Sequence, residues 1–421
     1  MSLGRGGYSG RARLAAFLDL DATLFDYPTV RINATVAALQ GMVSDPERIS
    51  RDLFELLRHS FTDVLLNLGF HNLRRRWDSP EVLLFACLLD SESSRAALLA
   101  LAKLSRDGAP SEDDVSLTSR VLSFQRALKI RPEACALFDA VAAVRMRWNS
   151  QLEERSRVFR EHVKSQASLV LGARELMAQL KDAGAELHVV SEGDSAIQRF
   201  KFDSLGLAEL VEGCVVTDTS CGVLSLLDEL FQLYKDLEMR QVPSFVIELY
   251  DALAPYTIKS PAFFSKLLHS LVDTSPGSLQ QRIQSPRFLT PQEWSSVPGR
   301  SVVMIGDRYR KDIEPLLRVC SKGVQTFRVV TGRYSEEDPL SKILDQGRPA
   351  ATGFFPDLRS LRPALADALR NLDEPIQRPL PVLPNPATID MVLEHCSGLS
   401  EGGRIALLAI RSEALRQQNA Q

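Results

Sequence analysis

"LAAFLDLDATLFD" (residues 14–26) opens with a run that is apolar on both faces and closes on two carboxylates one residue apart, Asp19 and Asp21. A short strand with no polar face fits the centre of a parallel sheet, where helices cover both sides. In open sheets of that kind, functional side chains collect beyond the carboxyl ends of the strands. Asp at a strand end is also the ordinary chemistry of a turn or a helix cap, so the stretch alone leaves both readings open.

The same grammar recurs downstream. "RELMAQLKDAG" (174–184) reads as a helix closing at Gly184, "ELHVVS" (186–191) as a strand, "AIQRFKFDSLG" (196–206) as a helix and "EGCVVT" (212–217) as a strand. It continues with "SVVMIGD" (301–307) as a strand, "DIEPLLRVCSKG" (312–323) as a helix, "VQTFRVVTG" (324–332) as a strand and "LRSLRPALADAL" (358–369) as a helix. Strands alternating with helices predict an α/β protein with a doubly wound parallel sheet, Rossmann-like in class.

Residues 27–168 break the alternation. "SDPERISRDLFELLRHSFTDVLLNLGF" (44–70) has apolar residues at three- and four-residue spacing and Pro46 at the first helical position, and similar patterns follow. The span reads as an inserted all-helical domain between two parts of the sheet domain, residues 12–26 and 169–373. Additional helices and a Pro/Ser-rich loop lie between 218 and 300. Residues 1–11 read as a flexible N-terminus. Residues 374–421 read as a proline-rich, semi-rigid linker followed by a helix that docks on the body or contacts a partner or a second copy.

A hydrophobic content of 45% supports a sizeable core, and a formal charge of −3 offers no general attraction to nucleic acid or anionic membranes. The six cysteines, Cys87, Cys135, Cys214, Cys221, Cys320 and Cys396, show no metal-ligand spacing and suit a reducing compartment. The start of the chain lacks the apolar core of a signal peptide, and no apolar run is long enough to span a bilayer, so a cytoplasmic protein is expected. The basic run Arg74 to Arg76 and the Arg-rich stretch 145–164 read as solvated, salt-bridged helix surface.

Four strand-end or helix-start positions carry chemistry: Asp19 and Asp21 with Thr23, then Ser191, then Lys259, then Asp307 with Asp312 five residues on. Each alone is commonplace. Acid groups converging on one sheet edge would repel unless a divalent cation sat among them, and an all-oxygen set suits magnesium. In this order the segments resemble the four motifs of the haloacid dehalogenase (HAD) superfamily of aspartate-nucleophile phosphohydrolases. Asp19-Leu20-Asp21-Ala22-Thr23 corresponds to the first, Ser191 to the second, Lys259 with Pro261 and Phe263 to the third, and Gly306 to Asp312 to the fourth.

The resemblance implies that Asp19 is the nucleophile and Asp21 the acid and base. Ser191 and Lys259 would hold the phosphoryl oxygens, with Thr23 beside them fixing the loop. Mg2+ would be held by Asp19, Asp21 (through its main-chain carbonyl), Asp307 and Asp312. Family members that cleave carbon–halogen bonds lack a carboxylate at the Asp21 position, so the expected substrate is a small or medium phosphorylated molecule. The helical insert would be a C1-type cap. Two departures stand out: Ala22 replaces the commoner Gly, and the interval from Ser191 to Lys259 is long, leaving Lys201 or Lys235 as alternative sources of the ammonium. A regulatory protein on the same fold, or a phosphotransferase using the same site, would carry the same residues.

Overall fold

The computed structural model describes residues 13–40, 154–193, 195–217, 226–227, 229–230, 243–329, 351–372 and 374–419. In chain order the elements are β1 (Arg13–Leu18), α1 (Tyr27–Leu39), α2 (Ala173–Asp182), β2 (Glu186–Ser191), α3 (Ser195–Ser204), β3 (Gly213–Val216) and α4 (Ser244–Leu253). There follow α5 (Pro261–Val272), α6 (Leu279–Gln284), α7 (Pro291–Ser296), β4 (Arg300–Gly306), α8 (Glu314–Val319), β5 (Val324–Val329), β6 (Gly353–Phe355), α9 (Leu358–Arg370), α10 (Pro386–His395) and α11 (Glu401–Asn419).

The six strands form one sheet in the order β3-β2-β1-β4-β5-β6, all parallel. The apolar run at the start of the chain lies at the middle of it: Leu14 to Leu18 are all buried, as a strand covered on both faces requires. Ala15, Phe17, Val302 and Met304 pack with Phe264, Leu267 and Leu271 of α5 and Leu316 of α8 in one cluster. Helices α2 and α9 form a second group, packed on each other, α2 against β2 and α9 against β5 and β6.

The chain divides into two compact units. The first comprises residues 1–26, 168–229 and 252–421 and holds the sheet; the second comprises residues 27–167 and 230–251. The described parts of the second unit are helical: α1, residues 154–166 and most of α4. Within residues 154–166, Arg157 reaches Glu154 and Glu161, each at 2.5 Å, an exposed pairing of the kind the charge alternation predicts. The 44–70 helix, the basic run at 74–76, Arg145, Arg147 and Lys235 lie outside the described residues.

Three local readings change. The helix expected from Asp312 begins at Glu314, because Pro315 tolerates only a first-turn position; Tyr309–Ile313 forms a wide π-type turn instead. The short strand β6 has no counterpart in the sequence reading, since three residues display no period. The proline-rich segment after residue 374 is extended but is no free spacer. Ile376 N donates to Arg300 O at 2.6 Å, Ser301 Oγ donates to Glu374 O at 2.8 Å, and Ile376 is buried in the cluster beneath α5. Among the described residues no helix is long and apolar enough to cross a membrane.

Candidate active site

Asp19 follows the last residue of β1, and its amide donates to Ile305 O of the neighbouring strand at 2.9 Å. The chain then turns back on itself: Ala22 N donates to Phe25 O at 2.8 Å, and the amides of Leu24 and Phe25 both donate to Leu20 O at 3.0 Å. The turn requires Ala22 to adopt φ 64°, the left-handed conformation that glycine adopts freely and alanine adopts at a cost of roughly 1–2 kcal/mol. It keeps Thr23 against the strand end, where its hydroxyl donates to Asp19 Oδ2 at 3.2 Å. Asp19 is buried, whereas Asp21 is partly open.

Lys259 sits immediately before α5. Ser260 is the N-cap, accepting from Phe263 N, and Pro261 takes the first helical position, where a missing N–H is not felt. Phe263 is fully buried in the core. The Pro and Phe that trail Lys259 in the sequence are therefore what fix the helix start and carry the lysine to the sheet edge. Its ammonium donates to Asp19 Oδ1 and, at 2.6 Å, to Asp312 Oδ1. Burial alone would lower the lysine pKa, but Asp19 and Asp312 hold it above its usual range.

Asp307 follows β4, and Asp312 returns to the same spot through the π-type turn, accepting from Arg308 N at 2.9 Å on Oδ2. Gly306 makes the return possible, since a Cβ there would stand 2.4 Å from Asp312 Cγ. Arg328, fully buried on β5, donates to Asp307 O at 2.9 Å. Ser191 ends β2 and is buried. Glu192, next to it, accepts from Lys259 N at 2.8 Å and pairs with Lys311 at 3.4 Å. Burial opposes its ionisation, but Lys311, Arg308 and the Lys259 amide draw its pKa down to about 2.

Asp19, Asp307 and Asp312 each offer a carboxylate oxygen, all within 4.8 Å of one another, and all three residues are buried. Burial raises the Asp19 pKa to about 7, against the pull of Lys259 and with Asp312 adding to the rise. Asp307 is raised well above the carboxylate range, by burial first and then by Asp19 and Asp312. Both carboxylate oxygens of Asp307 are buried without a hydrogen-bond partner among the described residues. An unpartnered buried carboxylate is expensive, and if all three ionise together they exceed the single ammonium of Lys259 by two negative charges, which adds to burial in raising the pKa values of Asp19 and Asp307. That donor set, all oxygen and short of two positive charges, fits a divalent cation. Asp312 has both oxygens engaged by Lys259 and Arg308, so Asp307 is the freer ligand.

Lys201, one of the alternatives to Lys259 on sequence grounds, is buried on α3 and pairs with Asp21 at 2.8 and 3.0 Å, while Lys259 is the lysine that reaches Asp19. Sequence reasoning missed this partnership because a helix lysine carries no sign of its tertiary partner.

The six-stranded parallel sheet carries the segments of Asp19, Ser191, Lys259 and Asp307 at one edge, as the strand-end reading of the sequence expects. No protein-family model matches the chain, and no curated protein does. Solved structures similar to it include a haloacid dehalogenase-like hydrolase from Xanthomonas campestris, at 15% identity, TM-score 0.37 and coverage of 86% of this chain and 97% of that one. A HAD-hydrolase from Bacillus subtilis bound to magnesium matches at 12% identity and TM-score 0.34, covering 85% of this chain and 99% of its own. A β-phosphoglucomutase from Thermotoga maritima matches at 12% identity and TM-score 0.34, covering 84% and 98%.

Proposed function

We propose that the protein is a magnesium-dependent phosphohydrolase acting on a small phosphorylated molecule through an aspartyl-phosphate. The observation that carries this reading is the buried cluster at the sheet edge: Asp19 at the end of β1, held by Lys259 and Thr23 and grouped with Asp307 and Asp312.

Asp19 attacks phosphorus through a carboxylate oxygen, forming an acyl phosphate as the bond from phosphorus to the leaving oxygen breaks. Asp21 gives a proton to that leaving oxygen, then takes one from the water that displaces phosphate from Asp19. Lys259 and Ser191 hold the phosphoryl oxygens, the lysine offsetting the charge that builds there. Mg2+ would be held by Asp19, Asp307, the Asp21 main-chain carbonyl and, more weakly, Asp312. When bound, it supplies positive charge that lets the carboxylates stand together and offsets that of the phosphoryl group. The helical insert, by its place in the sequence between the first two motifs, is the segment to which we assign substrate selection.

The test is phosphate release from an aryl phosphate and a panel of metabolite phosphates, with magnesium and with chelator, by wild type and Asp19→Asn. Metal-dependent release by wild type, lost in Asp19→Asn, is expected. Equal release by the two proteins, or none by wild type on any substrate, sinks the reading.

A further inference from the structure

Lys201 is the second buried lysine beside the cluster, and the catalytic steps above leave it without a task. Its side chain is 2% exposed and its ammonium spans both oxygens of Asp21, at 3.0 Å to Oδ1 and 2.8 Å to Oδ2. Three residues earlier on the same face of α3, Gln198 points its amide nitrogen at the same carboxylate, 3.4 Å from Oδ2, while donating at 3.0 Å to Glu192 O. Gly193, just after β2, leaves room for that glutamine. Gly193 has φ 134°, and a Cβ there would stand 3.0 Å from Gln198 Nε2.

The need for such a clamp comes from Asp21 itself. It lies in the turn that includes Ala22, its side chain is about one-third exposed, and Asp19's partners Thr23 and Lys259 make no recorded contact with it. Proton transfer to a leaving oxygen requires that carboxyl to stand within hydrogen-bond reach in one orientation. A carboxylate in a partly open turn has many orientations, and an ammonium bridging its two oxygens removes most of them. Desolvating a lysine costs far more than leaving it at the surface, so a fully buried one is held in place by its partner.

We infer that Lys201, assisted by Gln198, is a positioning residue that fixes the orientation of Asp21 for proton transfer to the leaving group. The inference rests on the phosphohydrolase reading and gives α3 a function in it. It makes a demand that a merely structural ion pair does not. A leaving group that departs readily as an anion needs little help from the acid, whereas an alkoxide needs it fully. Loss of the clamp therefore falls unequally on the two.

The experiment compares kcat for 2,4-dinitrophenyl phosphate and for a simple alkyl phosphate, with magnesium, in wild type, Lys201→Met and Gln198→Leu. General acid catalysis contributes on the order of 10²-fold or more, so Lys201→Met is expected to lose about that much on the alkyl ester and far less on the dinitrophenyl ester. Gln198→Leu, which keeps the ion pair and guards against a Lys201 variant that fails to fold, is expected to show the same inequality at smaller size. Equal losses on both esters in the folded variants, or no loss on the alkyl ester, overturn the assignment of Lys201 while leaving Asp19 chemistry intact. Absence of metal-dependent turnover of either ester by wild type removes the phosphohydrolase reading, and the positioning role with it.

Discussion

Gly306 is glycine because Asp312 folds back onto it. With a would-be Cβ 2.4 Å from the Asp312 Cγ, Gly306→Ala must push that carboxylate off Lys259 or bend β4. An overpacking cost of about 1–3 kcal/mol is expected, read as a fall in the denaturant midpoint, together with loss of turnover. Ala22 makes the opposite case. At φ 64° it carries left-handed strain that glycine relieves, offset by the larger unfolded-state freedom of glycine. Ala22→Gly should leave stability unchanged or raise it by up to about 1 kcal/mol, whereas Ala→Gly in an ordinary helix interior costs about that much; a clear drop in Tm would contradict the strain. At this scale Asp19, Lys259 and Asp307 were legible because each motif carries its own scaffolding in sequence: a double-sided apolar strand, a Pro and Phe after the lysine, a glycine before the aspartate. Lys201 has no such flanks, and its pairing with Asp21, 180 residues away in sequence, is a tertiary fact.

Among the described elements, α5 ties the sheet cluster to the C-terminal segment. Its His269 uses both ring nitrogens: Leu289 N donates to Nδ1 at 3.2 Å, which places the proton on Nε2, and Nε2 donates to Pro379 O at 2.9 Å. Phe288 and Trp294 meet the ring edge to face. Burial drives the His269 pKa down to about 3, and burial on β2 drives that of His188 to about 4. Both fall below the value of 6.5 for a free imidazole, so on acidification the unfolded chain binds protons before the folded one does. The contribution of these two histidines is therefore full above pH 6.5 and declines as pH falls towards 4 and then 3, against the opposite contribution of Asp19 and Asp307, whose raised pKa values favour the fold on acidification. Thermal melts of wild type and His188→Leu should show the variant gaining Tm relative to wild type between pH 7.5 and pH 5; the same pH dependence in the two proteins would contradict the burial of an uncharged His188. Element types were readable from period, but boundaries moved where one residue vetoed a helix, as Pro315 does, or where a strand had only three residues, as in β6.

For the molecule as a whole, the C-terminal segment belongs to the sheet unit. Besides Ile376 in the core, Phe288 N donates to Glu413 Oε1 at 3.1 Å, Gln417 Nε2 donates to Phe288 O at 3.2 Å, and Ser265 Oγ donates to Leu380 O at 2.7 Å. Buried Ile376, Ile389, Val392, Leu407 and Ile410 would each forfeit about 1.5–3 kcal/mol, which together rivals the whole stability of an ordinary domain. Truncation after residue 373 should give a protein that fails to melt cooperatively or to stay in solution, and a well-behaved truncated form with unchanged Tm would show the segment to be dispensable. The proline content disclosed an extended backbone but not its attachment, because five prolines describe a free linker and a docked strap equally well.

The sheet order also dictates when this protein can fold as it is made. The strand bearing Asp19 leaves the ribosome well before its two neighbours, β2, which begins at residue 186, and β4, which begins at residue 300. The last core contributions wait for residues 376–417. Until β2 and β4 emerge, an apolar strand and the aspartates at its end remain without their sheet partners, the situation in which a nascent chain most needs a chaperone.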